Sequence, residues 1–170
     1  MKTLTTQHIG AYGQLLVQAQ LLRLGIDSAR MTSDSGIDLL AYDPDNGISF
    51  SVQVKTREPE KAGKGKRESR PSFGIGELKA GKADIFAFFA HGLRDTGQVR
   101  VIVESCWYLT KWELRDPKIC SQRDGEFQFF VYSDTHSTRH RKGITESEAM
   151  KFSNEKGIER FLEILKKRIE

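Results

Sequence analysis

Asp38-Leu39-Leu40-Ala41-Tyr42 and Ile48-Ser49-Phe50-Ser51-Val52-Gln53-Val54-Lys55-Thr56, joined through Asp43-Pro44-Asp45-Asn46-Gly47, are the stretches whose pairing decides the fold. Extended chains send alternate side chains to opposite faces. Asp, Pro, Asn and Gly are the residues expected in a tight connection. Pairing Asp43 with Ile48 across that turn sets Leu39 opposite Val52 and Asp38 opposite Gln53. Asp38, Leu40, Tyr42, Ser49, Ser51, Gln53 and Lys55 then share one face, and Ile37, Leu39, Ala41, Phe50, Val52 and Val54 the other. A slip of one residue would mix the two sets, so the register is well specified. Cross-strand neighbours lie about 5 Å apart, close enough for Asp38, Gln53 and Lys55 to form one site. Such a trio suits a divalent metal beside a phosphate. The plainer alternative is a half-exposed hairpin with a polar outer face.

The elements around this hairpin supply its context. Residues 5–24 read as a helix with Thr5 or Thr6 as N-cap and Gly25 as its stop. Tyr12, Leu15, Leu16, Ala19 and Leu22 recur at helical spacing, which predicts a core-facing stripe. Gly10 and Gly13 each cost about 1 kcal/mol in a helix relative to Ala, an expense explained if the helix runs close to the sheet. Residues 26–31 read as an edge strand. Ala83-Asp84-Ile85-Phe86-Ala87-Phe88-Phe89-Ala90 is nearly continuous in apolar residues, as in a strand covered on both faces. Residues 98–104 read as a further strand, 108–114 as helix-like, and 127–132 as a short strand. Trp107, Tyr108 and Trp112 at helical spacing predict core. Ile158, Phe161, Leu162, Leu165 and Ile169 mark a closing amphipathic helix. The expected fold is α/β, a mixed β-sheet flanked by helices in the order α-β-β-β-α-β-β with C-terminal additions, the hairpin near its centre.

Composition sets the limits. The chain has 170 residues, 38% hydrophobic and 29% charged, which suits one soluble domain with a real core. No apolar run reaches membrane-spanning length, and the first residues lack the apolar core of a signal peptide. Cys106 and Cys120 form no metal-type cluster and have no neighbouring His. They fit a reducing, cytoplasmic setting and neither is a persuasive nucleophile. The formal charge of +4 is unevenly spread. Residues 57–82 and 136–170 are both basic blocks, whereas 1–56 and 83–135 are slightly acidic. Residues 57–75 form a basic, Gly-rich loop expected to be mobile. Lys64, Lys66, Arg67 and Arg70, with Arg139, Arg141 and Lys142, are the candidates for phosphate contacts. Solvated loops explain the same charge runs. His136 and His140, four apart, suit a phosphate-contacting tail, a metal pair or a plain loop.

In these residues the chain resembles the PD-(D/E)XK nuclease superfamily, in look nearest to compact homing endonucleases and Holliday-junction resolvases. That pattern is a helix-borne Glu, an Asp on the next strand, and Glu/Asp-x-Lys on the one after. Gln14 in Gly10-Ala11-Tyr12-Gly13-Gln14 takes the helix position, Asp38 the Asp position, and Gln53-Val54-Lys55 the final motif in a Gln-x-Lys variant. The resemblance covers about residues 7–105, with 106–170 a C-terminal elaboration of one nuclease-like domain. It implies a metal-dependent endonuclease acting on DNA as a homodimer or homotetramer. Asp38, the Gln53 amide and the Val54 carbonyl would hold Mg²⁺ or Mn²⁺. Lys55 would orient or deprotonate the attacking water, and Gln14 would contact the site through its amide. Amides at 14 and 53 leave Asp38 as the one carboxylate of the motif. Weak metal affinity is therefore expected. Asp34 is a possible second carboxylate or a turn residue. A nucleic-acid-binding module with a decayed site, or a non-catalytic interaction subunit, stands as the alternative.

Overall fold

The computed structural model describes residues 5–33, 35–57, 72–74, 82–95, 100–123, 126–132 and 143–169. Helix α1 (Thr6–Arg23) opens it, followed by strands β1 (Asp27–Arg30), β2 (Leu39–Asp43) and β3 (Ile48–Arg57). Then come β4 (Ser72–Gly74), β5 (Ile85–Asp95), β6 (Arg100–Thr110), β7 (Cys120–Arg123), β8 (Glu126–Tyr132) and β9 (Ile144–Thr145). Short α2 (Glu146–Ala149) and long α3 (Asn154–Ile169) close the chain. The main sheet has five strands in the order β1-β2-β3-β5-β6, parallel only between β3 and β5. A second sheet runs β4-β8-β7, with β9 beside β8. Among the described residues no helix is long and apolar enough to cross a membrane.

Thr5 caps α1, its hydroxyl accepting from the His8 N–H while His8 reaches back to the cap. Gly25, at a φ of +75°, supplies the left-handed residue that ends it. The hairpin has the expected register, with Leu39 opposite Val52, Ala41 opposite Phe50 and Asp43 opposite Ile48. Its turn is held by Asp43, whose Oδ1 accepts from Asp45 and Asn46 backbone N–H groups at 3.1 and 3.3 Å. Gly47 completes it at a φ of +65°.

From Ile85 to Ala90, β5 is covered on both faces, as its unbroken apolar run predicts. Ile85, Ala87 and Phe89 face a core built with Val17 and Leu21 of α1, Phe50 and Val52 of β3, and Phe161 of α3. Phe86, Phe88 and Ala90 face a second core with Trp107, Leu109, Phe129 and Phe152. The Phe88 and Phe129 rings lie 4.9 Å apart and join the two sheets. The amino end of β5 is clasped to β3, where Asp84 Oδ2 accepts from the Ser51 N–H and hydroxyl at 2.8 and 2.6 Å.

Several expectations change. The buried face of α1 is Gly13, Val17 and Leu21, with Tyr12 and Leu16 partly buried, while Leu15 and Leu22 are 56% and 66% exposed. Apolar residues surround this helix, so periodicity does not single out a face; the close fit at Gly13 does. A Cβ there would lie 1.9 Å from Thr56 Oγ1, whereas one on Gly10 would meet nothing within 4 Å. Close approach thus accounts for Gly13 and not for Gly10. The helix-like reading of 108–114 is replaced by strand as far as Thr110 and a 3₁₀ turn over Glu113–Arg115. Trp107 and Tyr108 are core, but Trp112 is 48% exposed. Ser72–Gly74, inside the expected basic loop, is a strand paired with β8. The short helix expected between β3 and β5 falls mostly outside the described residues. Strands β7 and β9 and helix α2, none of them expected, complete the C-terminal half.

Candidate functional site

Asp38 stands where β2 parts from β3. Continuing the register would set it opposite Gln53, but β2 begins one residue later, and the Asp38 N–H donates instead to the Val52 carbonyl at 2.9 Å. Its own carbonyl accepts from the Met31 N–H at 2.9 Å, so the residue that follows β1 steadies it from the other side. The departure frees its carboxylate to meet the β3 backbone. Asp38 Oδ2 accepts from the Val54 N–H at 2.7 Å, in place of a main-chain acceptor. Val54 is the middle residue of Gln53-Val54-Lys55, so the carboxylate meets β3 at the midpoint of that motif.

The second oxygen is held from α1. Gln14 Nε2 donates to Asp38 Oδ1 at 2.9 Å. The close fit of Gly13 against Thr56 brings the Gln14 backbone near enough for this contact. Residues from α1, the β2 approach and β3 thus converge through two hydrogen bonds, and Asp38 and Gln14 are both half-buried. Each carboxylate oxygen uses one acceptor direction, and the carboxylate retains capacity for a further ligand.

Gln53 and Lys55 alternate with Val54 along β3 and are partly buried. Val54 packs with the α1 core, and the β5 partners of Gln53 and Lys55, Phe86 and Phe88, belong to the second core. Gln53 and Lys55 therefore leave β3 on the side away from α1. Among the described residues neither has a hydrogen bond or ion pair to Asp38. The Val54 group seen at the site is its N–H, donating to Asp38, where sequence reasoning expected its carbonyl. Buried hydroxyls at Ser35 and Thr56, on either side of Asp38 and Val54 in the chain, have no partner among the described residues. Such oxygens call for water or ligand.

The donor set fits a hard divalent cation. Asp38 and Gln53 offer a carboxylate and an amide oxygen and no soft ligand, as Mg²⁺ prefers. Among the described residues no three His, Cys, Asp or Glu side chains cluster to hold a metal. A cation here would rely on water and substrate oxygens for the rest of its shell. Asp34, Lys64, Lys66, Arg67, Arg70, His136, Arg139, His140, Arg141 and Lys142 lie outside the described residues.

Both thiols are excluded as nucleophiles. Burial pushes Cys106 and Cys120 up to about 12. One pair that sequence reasoning missed is Tyr12, whose hydroxyl donates to Glu104 of β6 while its ring meets Phe89 edge-on. The Glu104 carboxylate holds the Tyr12 proton and raises its pKa, with burial adding to the effect. Nothing in the spacing of residues 12 and 104 announces this contact.

No family model matches the chain, and no curated protein matches it in sequence. In fold it is similar to a solved structure of a bacterial homing endonuclease, I-Ssp6803I. The TM-score is 0.57 at 14% identity, covering 99% of this chain and 100% of that one. The likeness is one of fold: a mixed sheet with flanking helices.

Proposed function

We propose that this protein is a metal-dependent DNA endonuclease of the PD-(D/E)XK type with a Gln-x-Lys motif. The observation that carries the reading is the Asp38 carboxylate, anchored at the midpoint of Gln53-Val54-Lys55 and gripped from α1 by Gln14. A strand that merely displayed polar residues would not need a side chain to replace its backbone acceptor. The fold it shares with a homing endonuclease supports the same reading.

Asp38, with the Gln53 amide oxygen, would hold Mg²⁺ or Mn²⁺, which when bound polarises the scissile phosphate and acidifies a water. Val54 N–H and Gln14 keep the carboxylate oriented. Lys55 orients the attacking water or neutralises charge that gathers on the phosphate oxygens. Water oxygen bonds to phosphorus as the bond to the 3′ oxygen breaks, leaving a 5′-phosphate and a 3′-hydroxyl. Two strands need two such sites, so a homodimer or homotetramer is the working form proposed.

The test is nicking of supercoiled plasmid in Mg²⁺ or Mn²⁺ beside Asp38→Asn and Lys55→Met. The Asn is isosteric: its oxygen accepts from Val54 and its NH₂ donates to a rotated Gln14 amide. The fold should survive while activity falls roughly a hundredfold or more. Undiminished nicking by either variant refutes the assignment. Salt-sensitive DNA binding without cleavage in any metal favours the decayed binding module instead.

A further inference from the structure

Between Thr5 and Leu22 the α1 segment contains no Asp, Glu, Lys or Arg, and its polar side chains fall in two rows. Residues four apart share a helix face. Gly13, Val17 and Leu21 form the buried line that rests on the sheet. On one flank of that line Gln14 Nε2 donates to Asp38 Oδ1 at 2.9 Å, and Gln18 Nε2 to the Ser28 carbonyl of β1 at 3.2 Å. On the other flank the partners come from β6. The Tyr12 hydroxyl donates to Glu104 Oε1, and the Tyr108 hydroxyl donates to Gln20 Oε1 at 2.7 Å.

The two rows pull α1 in opposite senses of rotation about its own axis. Apolar contact along the buried line is non-directional and does not fix that roll. Hydrogen bonds do, because they weaken steeply with distance and angle. Tyr12 and Gln14 flank Gly13 and differ by only about 3 Å along the axis, so their bonds oppose each other at one level. Both end on carboxylates, which makes them stronger than the neutral bonds of Gln18 and Gln20. A roll of about 10° moves a side-chain atom about 6 Å from the axis by about 1 Å. That displacement would take the Gln14–Asp38 bond out of hydrogen-bonding range.

We propose that Tyr12 and Glu104 are positioning residues, whose bond sets the roll of α1 and thereby holds Gln14 on Asp38. Glu104 itself stands away from the site. Val54 is level with Ala87 of β5 and, through it, Tyr108 of β6. Glu104 lies four residues along β6 from Tyr108, about 13 Å along the strand. It acts on the carboxylate only through Tyr12 and the helix. The effect on rate rests on the proposed hydrolysis, whereas the effect on Gln14 does not.

The test reads the Gln14 side-chain amide of the full chain by proton–nitrogen NMR, its signals assigned by their loss in Gln14→Ala. Tyr12→Phe keeps the ring on Phe89 and removes only the hydroxyl. Tyr12→Phe and Glu104→Ala should each move the Gln14 signals toward those of the exposed Gln7. Plasmid nicking by the same proteins should lose about tenfold in kcat, with KM for DNA unchanged. Glu104→Gln retains an acceptor oxygen and should keep both the Gln14 signals and kcat within about twofold. In a Gln14→Ala background Tyr12→Phe should cost nothing further. Gln14 signals unmoved by Tyr12→Phe and Glu104→Ala overturn the positioning, as does an equal kcat loss with and without Gln14. Nicking by the parent with unmoved signals removes the positioning alone. Displaced signals with no nicking by the parent in any metal support the positioning and remove the hydrolase.

Discussion

Gly10→Ala and Gly13→Ala, the same substitution three residues apart on α1, should change stability in opposite directions. At an open helix position the added methyl gains about 1 kcal/mol from propensity, and Gly10 is open, with nothing within 4 Å of a built Cβ. At Gly13 that Cβ would lie 1.9, 2.9 and 3.0 Å from Thr56 Oγ1, Cβ and Cγ2. Rotating the Thr56 side chain moves Oγ1 and Cγ2 but leaves Cβ where the β3 backbone holds it. Carbon atoms settle at about 3.5–4.0 Å, so α1 must retreat by roughly 0.5–1 Å. Overpacking of this kind costs about 1–3 kcal/mol, and after the propensity gain a net loss of up to about 2 kcal/mol remains. The retreat carries Gln14 with it, and the 2.9 Å bond to Asp38 opens toward the limit of hydrogen bonding. Gly13→Ala should therefore lose nicking activity as well, while Gly10→Ala keeps it. Urea denaturation reads the sign as a shift of midpoint at constant slope. Adding Thr56→Ala removes two of the three close atoms and should recover part of the loss. A Gly13→Ala protein shifted in the same direction as Gly10→Ala refutes the close fit of helix and strand.

Asp38→Ala should cost about 1–3 kcal/mol in urea, since it strands the Val54 N–H, whereas Asp38→Asn should stay within about 1 kcal/mol of the parent. Gly157→Ala would set a Cβ 2.0 Å from the Phe152 carbonyl oxygen, backbone that cannot swing aside, and should lower thermal stability by about 3 kcal/mol. Arg160→Met leaves the Glu113 carboxylate, at 20% side-chain exposure, without its cation and should cost about 2 kcal/mol. Glu113→Gln in the same chain should restore most of that in a double-mutant cycle. Cys106 and Cys120 are raised by burial from 9.0 to about 12. Their contribution is fully present below pH 9 and is lost as pH rises toward 12, so denaturation midpoints should fall across that window. Both thiols should resist a thiol reagent at neutral pH until urea unfolds the chain.

The hairpin register, the buried strand at 83–90 and the capped ends of α1 were legible because each rests on neighbours in sequence: alternation, turn chemistry and caps act over a few residues. The same local logic set Asp38 beside Gln53-Val54-Lys55, where it meets Val54 and has no hydrogen bond to Gln53 or Lys55 among the described residues, and put Gln14 on the helix before them. Two limits then appear, and both come from contacts between distant segments. Apolar residues all round α1 made Leu15 and Leu22 as plausible a core face as Val17 and Leu21. Only Gly13 against Thr56 chose between them. Trp112 shared helical spacing with two core aromatics, yet β6 runs straight through the first two and turns before the third.

The sequence by itself determined which residues pair in the hairpin, which strand is covered on both faces, and which carboxylate stands in the motif, since these follow from side-chain alternation and polarity. Only the tertiary structure decided that Asp38 leaves its ladder to accept from Val54 and Gln14 at once. It also decided that Tyr12 reaches Glu104, and that the Trp112 indole stays at the surface. The physical reason is that a hydrogen bond or a close packing contact is set by the approach of whole elements to within an ångström. That approach depends on every residue between them, and no local pattern encodes it.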